Sequence, residues 1–381
     1  MKGIIEETLQ NLERSGNFRH IPSGTADAAM VDFTSNDYLG LGAREDLRRE
    51  FCEKNDIASM HFSASASRLL SMNQKSFTKF EKFLSDLYAG REALVFNSGY
   101  HANTGLVSAL STKNTVIIAD KLVHASIIDG IKLGGCRFER FRHNDIAHLS
   151  RLAKKAVDEG MAPLIIAESV YSMDGDYADI EALADVKRHC PGAILYVDEA
   201  HAVGVEGAHG LGLCRDSEAF GDIDVIVGTM GKALASVGAY AILSGRLKDY
   251  AVNKARSFIF STALPPVNIE WSRFVIEKCL DMDTERRHLK TLGCRLSEIM
   301  AVHGAETQAS HIQPFVVGNP KLAVELSAEM MNEGFNVLPI RTPTVPPGTD
   351  RLRLSLPAAL SIDDIDKFGV AFAKVLQKFD L

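Results

Sequence analysis

The chain has 381 residues, 46% hydrophobic and 24% charged, with 42 lysines and arginines against 49 aspartates and glutamates, a formal charge of −7. At roughly 150 residues per domain this length predicts two or three domains. The mildly acidic balance lacks the excess of cations on which nonspecific nucleic-acid binding leans. No apolar run approaches the ~18 residues of a membrane helix, and the start, Met1-Lys2-Gly3-Ile4-Ile5-Glu6-Glu7, has no apolar signal-peptide core. A cytoplasmic protein is expected. The six cysteines, Cys52, Cys136, Cys190, Cys214, Cys279 and Cys294, stand too far apart for a zinc knuckle or a redox pair. They read as reduced, mostly buried thiols.

The first 30 or so residues read as a helix and a turn, an N-terminal arm over 1–33. From residue 34 to 266 short apolar runs alternate with polar or glycine-bearing turns. The runs are Ala93–Phe96, Val116–Ala119, Leu164–Ala167, Ile194–Val197, Val225–Val227, Ala239–Leu243 and Phe258–Phe260. Most are continuous, as in strands covered on both faces. Helical stretches such as 145–159 and 180–190 separate several of them, so the pattern predicts an α/β domain with a largely parallel sheet. Over 267–381 a smaller α/β domain is expected: a long helix (268–302), a strand (312–317), a helix (321–333), two strands (337–340 and 351–356) and a last helix. Ser361 with Asp364 opens that helix as a capping box, and Ile362, Ile365, Phe368, Phe372, Val375 and Phe379 recur at helical spacing.

In open α/β sheets ligands sit beyond the carboxyl ends of strands. The exits here carry Asn97-Ser98-Gly99-Tyr100, Asp120 to His124, Glu168 to Ser172, Asp198-Glu199-Ala200-His201 and Thr229-Met230-Gly231-Lys232. Singly each reads as a surface loop; together they point to one site. Asp198-Glu199-Ala200-His201 spells a helicase signature, but Gly231-Lys232 is followed by Ala233 and no phosphate loop accompanies it. No Gly-x-Gly-x-x-Gly follows a strand, and His201 with Asp198 lacks a third ligand, so neither a dinucleotide nor a metal is expected.

Lys232 follows a buried strand and is flanked by Ala233, Ala235 and Ser236. A solvated lysine is the plain alternative; a lysine in a crowded, partly desolvated pocket forms Schiff bases with carbonyl compounds. Asp198 leaves an apolar strand and needs a partner, either a helix N-terminus or a cationic ring nitrogen. Ser98, Gly99 and Tyr100 open a helix whose free N–H groups suit a phosphate. His124 and His201 suit stacking on a planar ring or donation to its oxygen.

These residues fall within Ser35-Asn36-Asp37-Tyr38-Leu39-Gly40-Leu41, Asn97-Ser98-Gly99-Tyr100-His101-Ala102-Asn103, His124-Ala125-Ser126, Arg142-His143-Asn144-Asp145, Ser172-Met173-Asp174-Gly175-Asp176, Asp198-Glu199-Ala200-His201 with Gly204, Gly228-Thr229-Met230-Gly231-Lys232-Ala233 and Arg351-Leu352-Arg353-Leu354. In this order the blocks resemble the α-oxoamine synthases, within the class II pyridoxal-phosphate-dependent aminotransferase family. The resemblance implies fold type I, aspartate aminotransferase-like, with a large, mostly parallel seven-stranded sheet domain and a small C-terminal α/β domain. It implies pyridoxal 5′-phosphate held covalently on Lys232, which also moves protons; His124 stacked on the ring; Asp198 on the ring nitrogen; and His201 with Ser172 on the ring oxygen. Gly99, Tyr100 and Thr229 fall to the cofactor pocket, and Thr262 reaches the phosphate from a second subunit of a homodimer. Arg353, with Asn36 nearby, grips the amino-acid carboxylate, though a solvent-facing strand arginine is the alternative. Arg19 and Thr344 contact the acyl substrate.

Within the family, Asp176 and the block 339–353 resemble the branch that condenses L-alanine with a pimeloyl thioester, carried by CoA or an acyl-carrier protein, in biotin synthesis. The branch using glycine and acetyl-CoA is the alternative, and a non-catalytic cofactor- or partner-binding relative is the reading from another class. Two departures bear on acyl specificity: Ser63-Ala64-Ser65-Ala66-Ser67-Arg68-Leu69-Leu70-Ser71 replaces a glycine-rich loop, and Ala235 stands where many relatives have glycine.

Overall fold

A computed structural model describes residues 1–21, 30–72, 74–306 and 308–381. Residues 22–29 of the expected arm lie outside it. The chain divides into two compact units. The larger holds Leu39–Tyr171 and Tyr177–Arg286; the smaller holds Met1–Tyr38, Ser172–Asp176 and Arg287–Leu381. The residues before Tyr38 thus group with the C-terminal unit, and the boundary falls after Arg286 rather than after Pro266.

Strand β1 (Val31–Asp32) lies in the smaller unit. The larger unit carries β2 (Glu92–Phe96), β3 (Thr115–Asp120), β4 (Arg137–Phe141), β5 (Ala162–Glu168), β6 (Ile194–Asp198), β7 (Val225–Thr229) and β8 (Ala239–Leu243). These form a seven-stranded sheet in the order β2-β8-β7-β6-β5-β3-β4. Only β8 runs against its neighbours, β2 and β7. The remaining pairs are parallel. Parallel strands need helical crossovers on the sheet faces, which is why Leu164–Glu168 and Leu195–Asp198 are buried along their length.

Six of the seven expected strands are present; the seventh is not the one expected. Phe258–Phe260 belongs to a short helix, Arg256–Ile259, and its end. In a strand residues 258 and 260 would share a face, yet Phe258 is 6% exposed and Phe260 69%. Phe258 packs edge-on to Phe96, ring centroids 5.8 Å apart. The seventh strand is β4, Arg-Phe-Glu-Arg-Phe, at the sheet edge and paired only with β3. Charges on an edge strand discourage pairing with another chain, and they also remove the apolar run that marks its inner neighbours.

The helix expected over 268–302 is two, Pro266–Cys279 and Asp283–Val302. Arg286 explains the break: Nη1 donates to the carbonyl of Cys279 (2.8 Å) and Nη2 to that of Leu280 (3.2 Å). A guanidinium on the last carbonyls ends the first helix.

The smaller unit has a three-stranded sheet. It comprises β9 (Ile312–Val316), β11 (Leu338–Ile340) and β12 (Arg351–Ser355), in the order β11-β12-β9 and antiparallel throughout. The two-residue strand β10 (Phe335–Asn336) pairs with β1. The last helix, Ile362–Lys378, starts on the expected capping box. Its Phe368 packs on Phe33, Phe335 and Phe372 at 4.9–5.6 Å. Lys2–Arg14 forms a helix that buries no residue.

All six cysteines are free, and Cys190, Cys214 and Cys279 are buried, half of the set rather than most. Among the described residues no helix is long and apolar enough to cross a membrane, and no cluster of metal-ligating side chains is found.

Candidate active site

Parallel topology brings the carboxyl ends of β3, β5, β6 and β7 to one edge of the large sheet. Asp198 closes β6 and is 4% exposed. Its Oδ2 accepts from Nδ2 of Asn103 (2.7 Å) and its Oδ1 from the N–H of Ala200 (2.8 Å). It therefore caps the following turn and takes a side-chain donor at once. Asn103 is buried in helix Gly99–Leu110; it also donates to Ser126 Oγ (2.9 Å) and accepts from the Tyr196 hydroxyl (2.7 Å). Every polar atom of this amide is used, which fixes its orientation.

His124 is the N-cap of helix Ala125–Gly134. Its Nδ1 lies 2.8 Å from Ser126 Oγ and accepts the N–H of Ser126 (3.2 Å). An accepting Nδ1 assigns the proton of the neutral ring to Nε2. The side chain is exposed, yet the protein packed around it pushes its pKa below the ordinary histidine value; the Lys232 charge acts in the same direction and Asp198 against it. A neutral ring with its N–H at Nε2 can stack on an aromatic plane and donate to an oxygen.

Lys232 follows β7, and its Nζ lies 2.7 Å from Nε2 of buried His201. Gly204 lets the two loops meet: with φ of +90°, a Cβ there would come within 2.6 Å of Ala233 Cβ. The Lys232 carbonyl accepts from the N–H of Ala235 (2.8 Å), whose φ is +41°. Left-handed backbone thus persists at Ala235 without the glycine that suits it. Ser65, in the loop that departs from the glycine-rich pattern, likewise has φ of +55°. In that loop Arg68 pairs with Glu81 through Nη1 (2.9 Å) and Nη2 (3.3 Å) and donates from Nε to Gln74 (2.7 Å).

Ser98 caps helix Gly99–Leu110 by accepting from the N–H of His101. A Cβ on Gly99 would lie 3.8 Å from Thr229 Oγ1, so the helix start and the Thr229 hydroxyl face each other. The Tyr100 hydroxyl donates to Asp129 Oδ2 (2.7 Å). Thr262 is exposed, and its carbonyl accepts from Asn97 Nδ2 (2.6 Å).

The smaller unit holds the other expected residues. Arg353 is buried, not solvent-facing. It donates from Nε to the Ser172 carbonyl (2.6 Å), from Nη1 to Ser355 Oγ (2.6 Å) and from Nη2 to Asn36 Oδ1 (3.1 Å). Asn36 Oδ1 also accepts from the Tyr38 hydroxyl (3.0 Å). Burial pushes that phenol up to about 12, against the pull of Arg353. Arg19 Nη2 donates to Thr344 Oγ1 (2.9 Å). Arg341 donates from Nη1 to the carbonyls of Gly16 (2.6 Å) and Phe18 (3.3 Å). Burial lowers its pKa, the charge of Arg19 lowers it further, and Asp350 acts against them. Asn103, Glu168 and Arg341 lie in stretches that motif reading singled out, but it gave none of them a role. A buried amide on an otherwise apolar helix face was the available sign for the first.

A family model for class I and II aminotransferases matches residues 28–372. The chain belongs to the class I and II aminotransferase family. Among curated relatives, a protein of Neisseria meningitidis serogroup C named "Putative 8-amino-7-oxononanoate synthase" is 42% identical over 377 residues, covering 96% of this chain and 99% of the relative. A serine palmitoyltransferase from S. paucimobilis, solved with a bound PLP–myriocin aldimine, superposes with a TM-score of 0.89 at 27% identity, covering 99% and 97% of the two chains. The 8-amino-7-oxononanoate synthase of Francisella tularensis does so with a TM-score of 0.77 at 27% identity, covering 93% and 100%. This aminotransferase-family chain is a fold type I, pyridoxal-phosphate-dependent acyltransferase of the α-oxoamine synthase group.

The residues fit the cofactor. Lys232 would supply the amine for a covalent bond, Asp198 a buried carboxylate for the ring nitrogen, and His124 a neutral ring for its face. Gly99 and the Thr229 hydroxyl, which lie side by side, would flank the phosphate.

Proposed function

We propose that the protein condenses L-alanine with a pimeloyl thioester, giving 8-amino-7-oxononanoate, CO2 and the free thiol, as a cytoplasmic step of biotin biosynthesis. Near-full-length identity of 42% to proteins carrying that name supports the reading. The observation that carries the acyl group is the meeting of Arg19 and Arg341 around Thr344. Two like charges cost free energy when brought together; Asp350 offsets part of this for Arg341, and among the described residues neither arginine forms an ion pair with a carboxylate. The far carboxylate of a pimeloyl chain supplies a direct partner, and a guanidinium suits it.

Pyridoxal phosphate, when bound, supplies a carbonyl that takes up the amino nitrogen and a protonated ring that accepts the electron pair left at the α-carbon. Lys232 Nζ removes the α-proton of alanine and later returns one. Asp198 keeps the ring nitrogen protonated. His201 orients Lys232 and, with Ser172, addresses the ring oxygen. Gly99, Tyr100 and Thr229 hold the phosphate. Arg353, held by Ser172, Ser355 and Asn36, grips the alanine carboxylate. His124 donates from Nε2 to the thioester oxygen as charge develops there. The α-carbon bonds to the thioester carbon, the C–S bond breaks and the thiol departs; loss of CO2 and one proton gained complete the balance.

A homodimer with Thr262 completing the partner's phosphate site belongs to the same reading. Segments 61–66 and 263–267 are joined by hydrogen bonds of 3.0 and 3.2 Å. On and beside them Phe62, Leu69, Leu70 and Phe260 are exposed, an apolar surface that suits a second copy.

The higher TM-score with serine palmitoyltransferase favours a second reading, a long-chain acyl donor and serine. Both solved relatives are 27% identical to the chain, and an apolar tail leaves the two arginines unmatched. Incubation of the cofactor-loaded protein with L-alanine and a pimeloyl thioester, followed by mass spectrometry, should show 8-amino-7-oxononanoate and one thiol released per product. Absence of that product would end the proposal.

A further inference from the structure

Glu168 closes β5 as the register partner of Asp198 on β6. It is 3% exposed, and its Oε1 accepts the backbone N–H of His124. The side chain of His124 leads elsewhere: to Ser126, from Ser126 to Asn103, and from Asn103 to Asp198. His124 and Asp198, assigned to the face and the nitrogen of the cofactor ring, are therefore tied by two routes. One runs through side chains; the other runs through the main chain and Glu168. Together they close a circuit.

We infer that Glu168 is a positioning residue of the cofactor pocket, holding His124 by its backbone so that the imidazole keeps its place relative to Asp198. Its chemistry fits a clamp rather than a second counter-ion. Burial pushes its carboxyl well above the usual range; the charge of Asp198 adds to this, Asp120 adds less, and Lys232 with the His124 N–H acts against them. A carboxyl whose charged form is disfavoured accepts the amide hydrogen and competes less with Asp198 for a cationic ring. A glutamine would do the same, and an apolar side chain would not.

The test reads cofactor binding by the apoprotein, with no substrate present, so its outcome is independent of the acyl group proposed above. The chain has a single tryptophan, Trp271, and its Nε1 donates to the Ala235 carbonyl (3.2 Å) beside the Lys232 turn. Its fluorescence reports the titration with pyridoxal phosphate. Glu168→Gln should bind within about threefold of wild type, and Glu168→Met about tenfold more weakly, the cost of one hydrogen bond to a poised group. In a His124→Ala background Glu168→Met should add less than about twofold, because the clamp acts through His124. A residue of merely structural importance would lower the melting temperature without this pattern. A tenfold loss in Glu168→Gln, or an equal loss for Glu168→Met with and without His124, overturns the inference. If Glu168→Met does not fold, the glutamine variant decides alone.

Discussion

Lys232 Nζ and His201 Nε2 stand 2.7 Å apart. One hydrogen is shared between the two nitrogens, which ties the lysine side chain to the imidazole. A lysine anchored in this way is poised over the pocket rather than dispersed into solvent. Borohydride reduction of the cofactor-loaded protein should fix the label on the peptide containing Lys232 alone. Lys232→Ala should lose that label and turnover, by more than roughly 10^4-fold, with its circular dichroism unchanged. A label on another lysine contradicts the assignment.

Arg19 and Arg341 should discriminate acyl chains by their far end. A charge-assisted hydrogen bond contributes about 1.5–3 kcal/mol, roughly ten- to a hundredfold in kcat/KM. Replacing either arginine by alanine should lower kcat/KM for a pimeloyl thioester by that factor and leave a heptanoyl thioester nearly unaffected. Equal losses on both thioesters would show that the pair supports the fold and not the substrate.

Glu199 should make stability fall with rising pH. It is fully buried, and Oε1 accepts the N–H of Cys214 (3.0 Å). Burial pushes its carboxyl from 4.5 up to about 7, with the Cys214 N–H acting against it. Between those values the folded chain keeps a proton that the unfolded chain has released. The stabilisation is therefore full below about pH 4.5 and is lost as pH rises to about 7, a change on the order of 3 kcal/mol. Glu199→Gln should abolish this slope in denaturant titrations at pH 5 and pH 8. An unchanged slope would assign the pH dependence to other groups.

Ala235 carries a strained backbone, with φ of +41°. An L-residue in the left-handed region costs about 1–2 kcal/mol, partly offset by the greater unfolded-state freedom of glycine. Ala235→Gly should stabilise the apoprotein by up to about 1 kcal/mol in chemical denaturation. A loss of similar size would show that the turn is not strained.

The inner strands and their exits were legible because a parallel sheet wrapped by helices writes continuous apolar runs and puts its chemistry just after them. Lys232, Asp198 and His124 follow directly from that rule. The charged edge strand β4 and the short helix at Phe258 escaped it, because one lacks the run and the other mimics it over three residues. The break between the helices Pro266–Cys279 and Asp283–Val302 depended on Arg286 capping a helix that periodicity alone would continue. Glu168 stood in view at a strand exit, but its bond to His124 joins positions far apart in the chain. Arg341 meets Arg19 across still more of the sequence, and no local pattern encodes such a closure.

The pairing of L-alanine with a pimeloyl thioester defines the reaction. The most direct measurement is kcat/KM for alanine, glycine and serine crossed with pimeloyl, acetyl and palmitoyl thioesters on the cofactor-loaded protein. Alanine with the pimeloyl thioester should exceed alanine with the acetyl or palmitoyl thioester by at least about a hundredfold, the value of two charge-assisted contacts to one carboxylate, and should also exceed glycine or serine with the pimeloyl thioester. A higher value for glycine with the acetyl thioester, or for serine with the palmitoyl thioester, would contradict the account.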